Sequence, residues 1–334
     1  MGETLAFLSA IGYTSQLILI KKGCKEKSVS GSIPIQLFVV SSAVLIIIVI
    51  YLVEIALERG TLFSHFLLVP KDAIVFVVLD GLLGPMAGLF LLTKATELIG
   101  PSKTSIFRGT NPIFAAILAA AILNETPGVL GVSGVALLVT GIIIVSWNND
   151  ALYAGNEYHS IQTYEPMNEY DASNFLSSFQ TESTQSLKKR NFIGTALALL
   201  SGLSFAIAQT ARGSAIERGA APEPIVFWGT MTSFVTLLMI HYFYKNSLNF
   251  TLGIERNSYK YYICAGAGFV LGASALALSF VYIDVWKAVA IRNLQPVISI
   301  LMSWLFLKQQ ELITKRIIVG ALFVIAAIWI LAIA

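Results

Sequence analysis

The segment KTSIFRGTNP occupies residues 103–112, and a related segment, KAVAIRNLQP, occupies residues 287–296. Both have lysine first, arginine sixth, and an amide side chain followed by proline in the last two positions. Charged residues make up only 12% of the chain and prolines number 10, so this coincidence of scarce residue types indicates an internal duplication.

Further glycines, prolines and charges match on either side of this motif. At an offset of 190 residues, Gly12, Lys22, Gly23 and Pro34 correspond to Gly202, Arg212, Gly213 and Pro224. At 184, Gly84 and Gly88 correspond to Gly268 and Gly272, and at 186 Glu125 and Gly134 correspond to Glu311 and Gly320. Small insertions explain the changing offset. The chain is therefore predicted to contain two repeats, residues 1–148 and 191–334.

The composition indicates that lipid surrounds most of the chain. Hydrophobic residues make up 56% of the 334 positions, above the usual share, while the 12% of charged residues is half the usual share. This excludes an ordinary soluble domain, and a net charge of +3 excludes a basic surface suited to nucleic acid.

Apolar runs bounded by charge, glycine or proline predict an all-α integral membrane protein with ten transmembrane helices. The predicted spans are residues 4–20, 34–57, 73–92, 103–123, 128–147, 192–211, 223–244, 259–282, 287–307 and 312–333. Between the fifth and sixth spans, residues 149–190 are polar and acidic and cannot bury enough apolar surface to pack, which predicts a flexible linker. Because each repeat has an odd number of spans, the second must cross the membrane upside down, an arrangement typical of secondary transporters.

The motif Asn111-Pro112-Ile113-Phe114, followed by Asn124-Glu125, Gly134 and Gly141, resembles the EamA-type repeat of the drug/metabolite transporter superfamily. The second copy, from Gln295-Pro296-Val297 through Glu311 to Gly320, resembles it too, but has Ala327 where the first copy has Gly141. The resemblance implies a multi-pass transporter of the cell membrane. It does not imply one substrate, since such proteins move amino acids, drugs and other metabolites.

The repeated arginines are the leading candidates for substrate binding. An arginine inside a membrane helix is costly, so Arg108 and Arg292 should face a polar cavity or a partner. Pro112 and Pro296 should kink their helices beside them. Two guanidinium groups could then hold a carboxylate or phosphate between the repeats, or each could lock two helices together. The amides that could line the same cavity are Asn111, Gln295, Gln16 and Gln209, and Arg212 is a further candidate.

Two acids, Asp80 and Glu97, are candidates for proton coupling. A carboxylate isolated in the membrane can carry a proton, which suits an exporter of cationic or amphipathic drugs, the alternative function. The competing interpretation of Asp80 is an ion pair with Arg108, Lys94 or Arg292. Glu125 and Glu311 stand at helix junctions, where capping of the following helix is expected. Gly84-x3-Gly88 and Gly268-x3-Gly272 should allow close helix packing.

Other classes of function fit less well. The chain has none of the hydrolase or protease motifs of membrane enzymes, and its three histidines are too scattered for a metal site, so we expect no catalytic residue, cofactor or metal. A channel would need a ring of repeated polar groups. The expected partners are a small-molecule substrate, the lipid bilayer and a coupling proton, with the chain acting as a monomer or homodimer.

Overall fold

The computed structural model describes residues 1–23, 33–56, 68–146, 169–244, 258–295, 297–298 and 315–333. These residues form helices joined by short connections, and no strand occurs among them. The helices are α1 (Gly2–Gly23), α2 (Ile33–Ala56), α3 (Ile74–Gly81), α4 (Leu89–Arg108), α5 (Asn111–Ile122), α6 (Val129–Ser146), α7 (Glu169–Glu217), α8 (Pro222–Tyr244), α9 (Tyr259–Ser279), α10 (Val285–Arg292) and α11 (Lys315–Ile333). A 3-10 turn, Lys71–Ala73, precedes α3, and a π-helical segment, Leu82–Gly88, joins α3 to α4.

Six stretches of the described chain are helical, long and apolar enough to cross a bilayer. They are Gly2–Ile20, Ile35–Val53, Lys71–Ala95, Asn191–Glu217, Pro222–Phe243 and Tyr259–Ser279. These correspond to the first, second, third, sixth, seventh and eighth predicted spans. The fourth, fifth and tenth fall on shorter apolar helices, Asn111–Ile122, Val129–Gly141 and Leu322–Leu331. Within the ninth, residues 296 and 299–307 lie outside the described residues.

The structure differs from the sequence-based boundaries in two places. Residues 93–102 were expected to form a loop because they contain Lys94, Glu97, Gly100 and Pro101, but α4 runs through them without a break. Within the predicted flexible linker, residues 169–190 form the first turns of α7, while residues 149–168 lie outside the described residues. Helix hydrogen bonds are satisfied within one segment, so a polar stretch can be helical without burying apolar surface.

Helices from opposite halves of the chain pack closely together. The first such contact is between α1 and α9, where a Cβ atom on Gly12 would lie 2.5 Å from the backbone nitrogen of Gly272. The second is α6 against α11, where a Cβ atom on Gly141 would lie 2.9 Å from the carbonyl oxygen of Gly320. The packing role predicted for Gly268 and Gly272 is thereby confirmed, because side chains at these contacts would force the helices apart.

The π-helical segment accepts hydrogen bonds from serines of neighbouring helices. Pro85 has no N–H and cannot donate a hydrogen bond to the carbonyl of Gly81. The Ser233 hydroxyl of α8 donates to that carbonyl instead, at 2.5 Å. Two serines of α7 donate to other carbonyls of the segment and its end, Ser204 to Leu83 at 2.7 Å and Ser201 to Gly88 at 2.8 Å. The three hydroxyls therefore give carbonyls of the widened turn hydrogen-bond partners within the protein.

Candidate functional site

A cavity lies where α1, α4, α7 and α9 meet the π-helical segment and the end of α10. It encloses about 520 Å³ of empty space, its open mouth included. The residues that line it are Tyr13, Gln16, Leu17, Asp80, Gly84, Pro85, Leu89, Leu92, Phe205, Ala208, Gln209, Arg212, Phe269, Leu276, Arg292 and Gln295. Both halves of the chain contribute, and the walls are mainly apolar with a few polar groups, as in small-molecule sites generally.

Arg292 is the cation placed most directly in this cavity. It is the last residue of α10, where Asn293 and Leu294 form a turn before Gln295. Only 3% of its surface is exposed, and its guanidinium carbon lies 4.5 Å from the ring centre of Tyr13 and 5.7 Å from that of Phe205. Its Nε atom is buried and has no hydrogen-bond partner among the described residues. A buried donor of this kind is available to a ligand.

A second arginine in the cavity, Arg212, is already paired with Asp80. Nη2 of Arg212 lies 3.0 Å from Oδ1 and 2.9 Å from Oδ2 of Asp80, and Nε lies 3.1 Å from Oδ2. A third nitrogen, Nη1, donates to the carbonyl oxygen of Ala273 at 3.3 Å. The pair is buried, with 6% and 3% of the two side chains exposed. Asp80 is therefore not an isolated carboxylate, and its partner is none of the three cations expected from the sequence.

The three glutamines expected at the cavity all line it. Gln16 is on α1, Gln209 on α7, and Gln295 just beyond α10. The Oε1 atom of Gln209 is buried and unpaired within the described part of the chain. The site therefore contains neutral groups able to orient a polar substrate beside Arg292.

Asn111 and Pro112 begin α5 directly after a turn, in agreement with a helix break at this proline. Both are buried, and neither amide atom of Asn111 has a hydrogen-bond partner among the described residues. Asn111 is not among the residues that line the cavity. The backbone of Arg108 ends α4, but its side chain and that of Glu97 lie outside the described residues, as do Pro296 and Glu311. Binding of substrate between Arg108 and Arg292 stays a prediction.

Glu125 caps a helix of the opposite half and not the helix that follows it. Asn124 ends α5 by adopting a φ of 55°, a conformation that asparagine tolerates. The carboxylate of Glu125 then accepts hydrogen bonds from the backbone N–H groups of Val285 (3.1 Å) and Trp286 (3.4 Å), at the start of α10. Because α10 ends at Arg292, this contact holds the helix that brings the arginine to the cavity.

Burial changes the acidity of Glu125, which lies between α5 and α6. Burial disfavours the charged form and raises the pKa of Glu125 to about 7 from its ordinary value of 4.5. The two backbone N–H groups oppose this shift, while the nearby carboxylates of Asp284 and Glu217 add to it. On the same end of α10, Lys287 forms an ion pair with Glu3 at 3.4 Å.

The sequence patterns did not predict the aromatic residues that line the cavity. Tyr13 and Gln16 are three residues apart on α1, and Phe205, Gln209 and Arg212 follow one another at four and three residues on α7. Residues at these spacings share one face of a helix. An aromatic residue on the same face as a membrane-embedded polar residue was therefore the signal that could have found them.

Comparisons with known proteins agree with the fold and with the sequence motif. The family model described as the EamA-like transporter family matches residues 1–147 and 192–333. A solved structure titled "Crystal structure of protein" aligns with a TM-score of 0.69 and 13% identity, over 99% of this chain and 97% of that chain. At this identity the likeness concerns the fold alone. No curated protein matches the sequence.

Proposed function

This chain belongs to the EamA-like transporter family of the drug/metabolite transporter superfamily, and from that premise we propose that it moves a small metabolite with an anionic group across the membrane by alternating access. Membership makes the chain a multi-pass integral membrane protein and a transporter, with the cell membrane as the typical location. The proposal concerns the substrate and the mechanism. Carboxylate-bearing compounds, amino acids included, and phosphate-bearing compounds are the substrates considered.

The observation that supports an anionic substrate is the state of Arg292. Its guanidinium is buried at the cavity, forms no ion pair with a described residue, and has an unsatisfied Nε. A buried cation without an anion is unfavourable, and a substrate carboxylate or phosphate would satisfy both the charge and the hydrogen bond. The cavity is thus suited to an anion at Arg292.

For the mechanism, we propose ten transmembrane helices arranged as two inverted five-helix repeats, residues 1–148 and 191–334, joined by the linker at 149–190. The cavity between the repeats would open to each side of the membrane in turn. Close contacts between the halves, such as α1 with α9, would slide or rock during this change. Assembly as a monomer or homodimer is compatible with this mechanism.

The alternative function is a proton-coupled exporter of cationic drugs that uses Asp80 or Glu97. The ion pair of Asp80 with Arg212 supports it less well, because protonation of Asp80 would leave a buried guanidinium without its counterion. A channel or a membrane scaffold is a further alternative, which no contact among the described residues supports.

Purified protein in liposomes tests the proposal. Thermal-shift screening against amino acids, organic acids, phosphorylated sugars and nucleotides would first select a ligand. We expect saturable uptake of that ligand that is stimulated by unlabelled ligand inside the liposomes. Arg292→Gln should abolish this uptake and Arg292→Lys should retain part of it, while Arg218→Gln, which removes an exposed arginine outside the cavity, should leave it intact. Undiminished uptake by Arg292→Gln would show that the substrate does not depend on this cation.

A further inference from the structure

We propose that Asp80 sets the charge class of the substrate: by forming an ion pair with Arg212, it leaves the described residues that line the cavity with a net charge of one, which suits an organic monoanion with an apolar body and disfavours a dianion such as a phosphate ester. This inference rests on the proposed function, and it narrows the anionic substrates considered there.

The charge balance follows from the residues that line the cavity. Among those described, only Asp80, Arg212 and Arg292 are charged. The carboxylate of Asp80 receives three hydrogen bonds from Arg212, so its charge is matched within the protein. What remains is the single positive charge of Arg292, whose guanidinium lies over the faces of Tyr13 and Phe205.

A single positive charge discriminates between monoanions and dianions. Removing a charged ligand from water is costly, and the cost rises steeply with its charge, so a bound anion must be compensated by the site. The charge of a monoanion bound to Arg292 is fully compensated by the guanidinium. A dianion would retain one charge that no described residue of the cavity compensates.

The walls of the cavity specify the rest of the ligand. Tyr13 and Phe205 cover the guanidinium of Arg292, and Phe269 and several leucines extend the apolar surface away from it. A flat apolar group attached to the anion would pack on these rings and displace water from them. A small hydrophilic anion would leave this surface wet.

Two probes of nearly the same shape separate charge from size. Phenyl sulfate carries one negative charge, whereas phenyl phosphate carries two at about pH 8, since the second pKa of a phosphate monoester is about 6. Binding of each to the full-length protein in detergent can be measured by titration calorimetry. For the wild type we expect phenyl sulfate to bind at least about tenfold more tightly than phenyl phosphate, the factor that one uncompensated charge would readily produce in a partly buried site.

Variants of the ion pair then change the charge of the cavity in steps. Asp80→Asn removes a negative charge and so raises the net charge of the cavity by one. It should shift the preference by about tenfold or more toward phenyl phosphate. The double variant Asp80→Asn/Arg212→Gln returns the cavity to one positive charge and should restore the preference for phenyl sulfate. Arg212→Gln alone leaves the charge of Asp80 to compensate that of Arg292, and it should weaken the binding of both probes. The double variant, which removes both charges of the buried pair, keeps the proposal testable if the single variants do not fold, because loss of the preference for phenyl sulfate in it would contradict the proposal.

Equal binding of the two probes to the wild type would overturn the inference, as would the absence of phenyl sulfate binding or a preference that ignores the charge of the cavity. The outcome is distinguishable from failure of the proposed function. A wild type that binds phenyl sulfate selectively but shows no saturable uptake of any ligand in liposomes would contradict transport and leave the charge selection standing.

Discussion

Arg212 on α7 and Asp80 on α3 form a buried ion pair in which two nitrogens of the guanidinium contact the carboxylate, the shortest distance being 2.9 Å. The pair joins a helix of the first repeat to a helix of the second beside the cavity. It therefore contributes both to the contact between the halves and to the charge of the site.

Removing one partner of this pair should destabilise the fold strongly. Asp80→Ala leaves the guanidinium of Arg212 buried without a counterion, and such changes cost about 3–5 kcal/mol of folding free energy. The double variant Asp80→Leu/Arg212→Met removes both charges and should cost less than Asp80→Ala alone. Thermal unfolding in detergent measures both. A double variant less stable than the single one would contradict the interpretation.

The stability of the protein should depend on pH through Glu125. Because the pKa of Glu125 is raised to about 7 from 4.5, the folded protein binds this proton more tightly than the unfolded chain. The contribution of Glu125 is thus complete below pH 4.5 and is lost as the pH rises from 4.5 to 7. Above that range the group is ionised in both states, and its contribution no longer changes.

Glu125→Gln should remove this part of the pH dependence, because the amide keeps an acceptor for the N–H groups of Val285 and Trp286 but does not titrate. The measurement is the unfolding temperature in detergent at several pH values. Asp72→Asn, at an exposed position in the turn before α3, controls for the loss of a carboxylate. If Glu125→Gln keeps the slope of the wild type between pH 4.5 and 7, Glu125 is not its source.

Gly12→Ala should separate α1 from α9. The added Cβ atom would lie 2.5 Å from the nitrogen and 2.7 Å from the Cα atom of Gly272, and this backbone can yield only if a helix moves. Overpacking of this kind costs about 1–3 kcal/mol, so we expect a lower unfolding temperature and weaker uptake in liposomes. Gly128→Ala is the matched control, since nothing lies within 4 Å of its added Cβ atom. Equal stability of the two variants would contradict the close packing.

Ser233→Ala should destabilise the π-helical segment. The hydroxyl of Ser233 donates to the carbonyl of Gly81, to which Pro85 cannot donate, and the loss of such a hydrogen bond costs about 0.5–1.5 kcal/mol. Ser133→Ala is the control, because the hydroxyl of Ser133 is exposed and bonds only within its own helix. The difference in unfolding temperature between these variants measures the contribution. A Ser233→Ala protein as stable as the control would show that the segment needs no outside donor.

Much of the fold was predictable because lipid imposes strong rules on sequence. The apolar runs predicted six helices that are long and apolar enough in the structure to cross a membrane, and Gly268 and Gly272 predicted a close helix contact. Predictions failed where local signals were ambiguous. Lys94 and Pro101 suggested a loop, yet α4 continues through them, since charge and proline disfavour a buried helix without preventing one.

The candidate site was predictable in part. The cost of a charge in lipid identified Arg292 and Asp80, and the three glutamines were found by the same argument. The pairing of Asp80 with Arg212 was not found, because the two residues are 132 positions apart and several arginines could have served. Glu125 was recognised as a cap, but not as the cap of a helix 160 residues away.

The sequence by itself determined that this protein lies in a membrane, that it repeats an EamA-type unit, and that a few buried charges must serve a purpose. These conclusions depend on composition, on spacing and on the cost of charge in lipid, which are local properties. The tertiary structure alone decided which charges compensate one another. Ion pairing depends on distance in space, and among the described residues that line the cavity it leaves Arg292, and not Arg212, without an ion-pair partner.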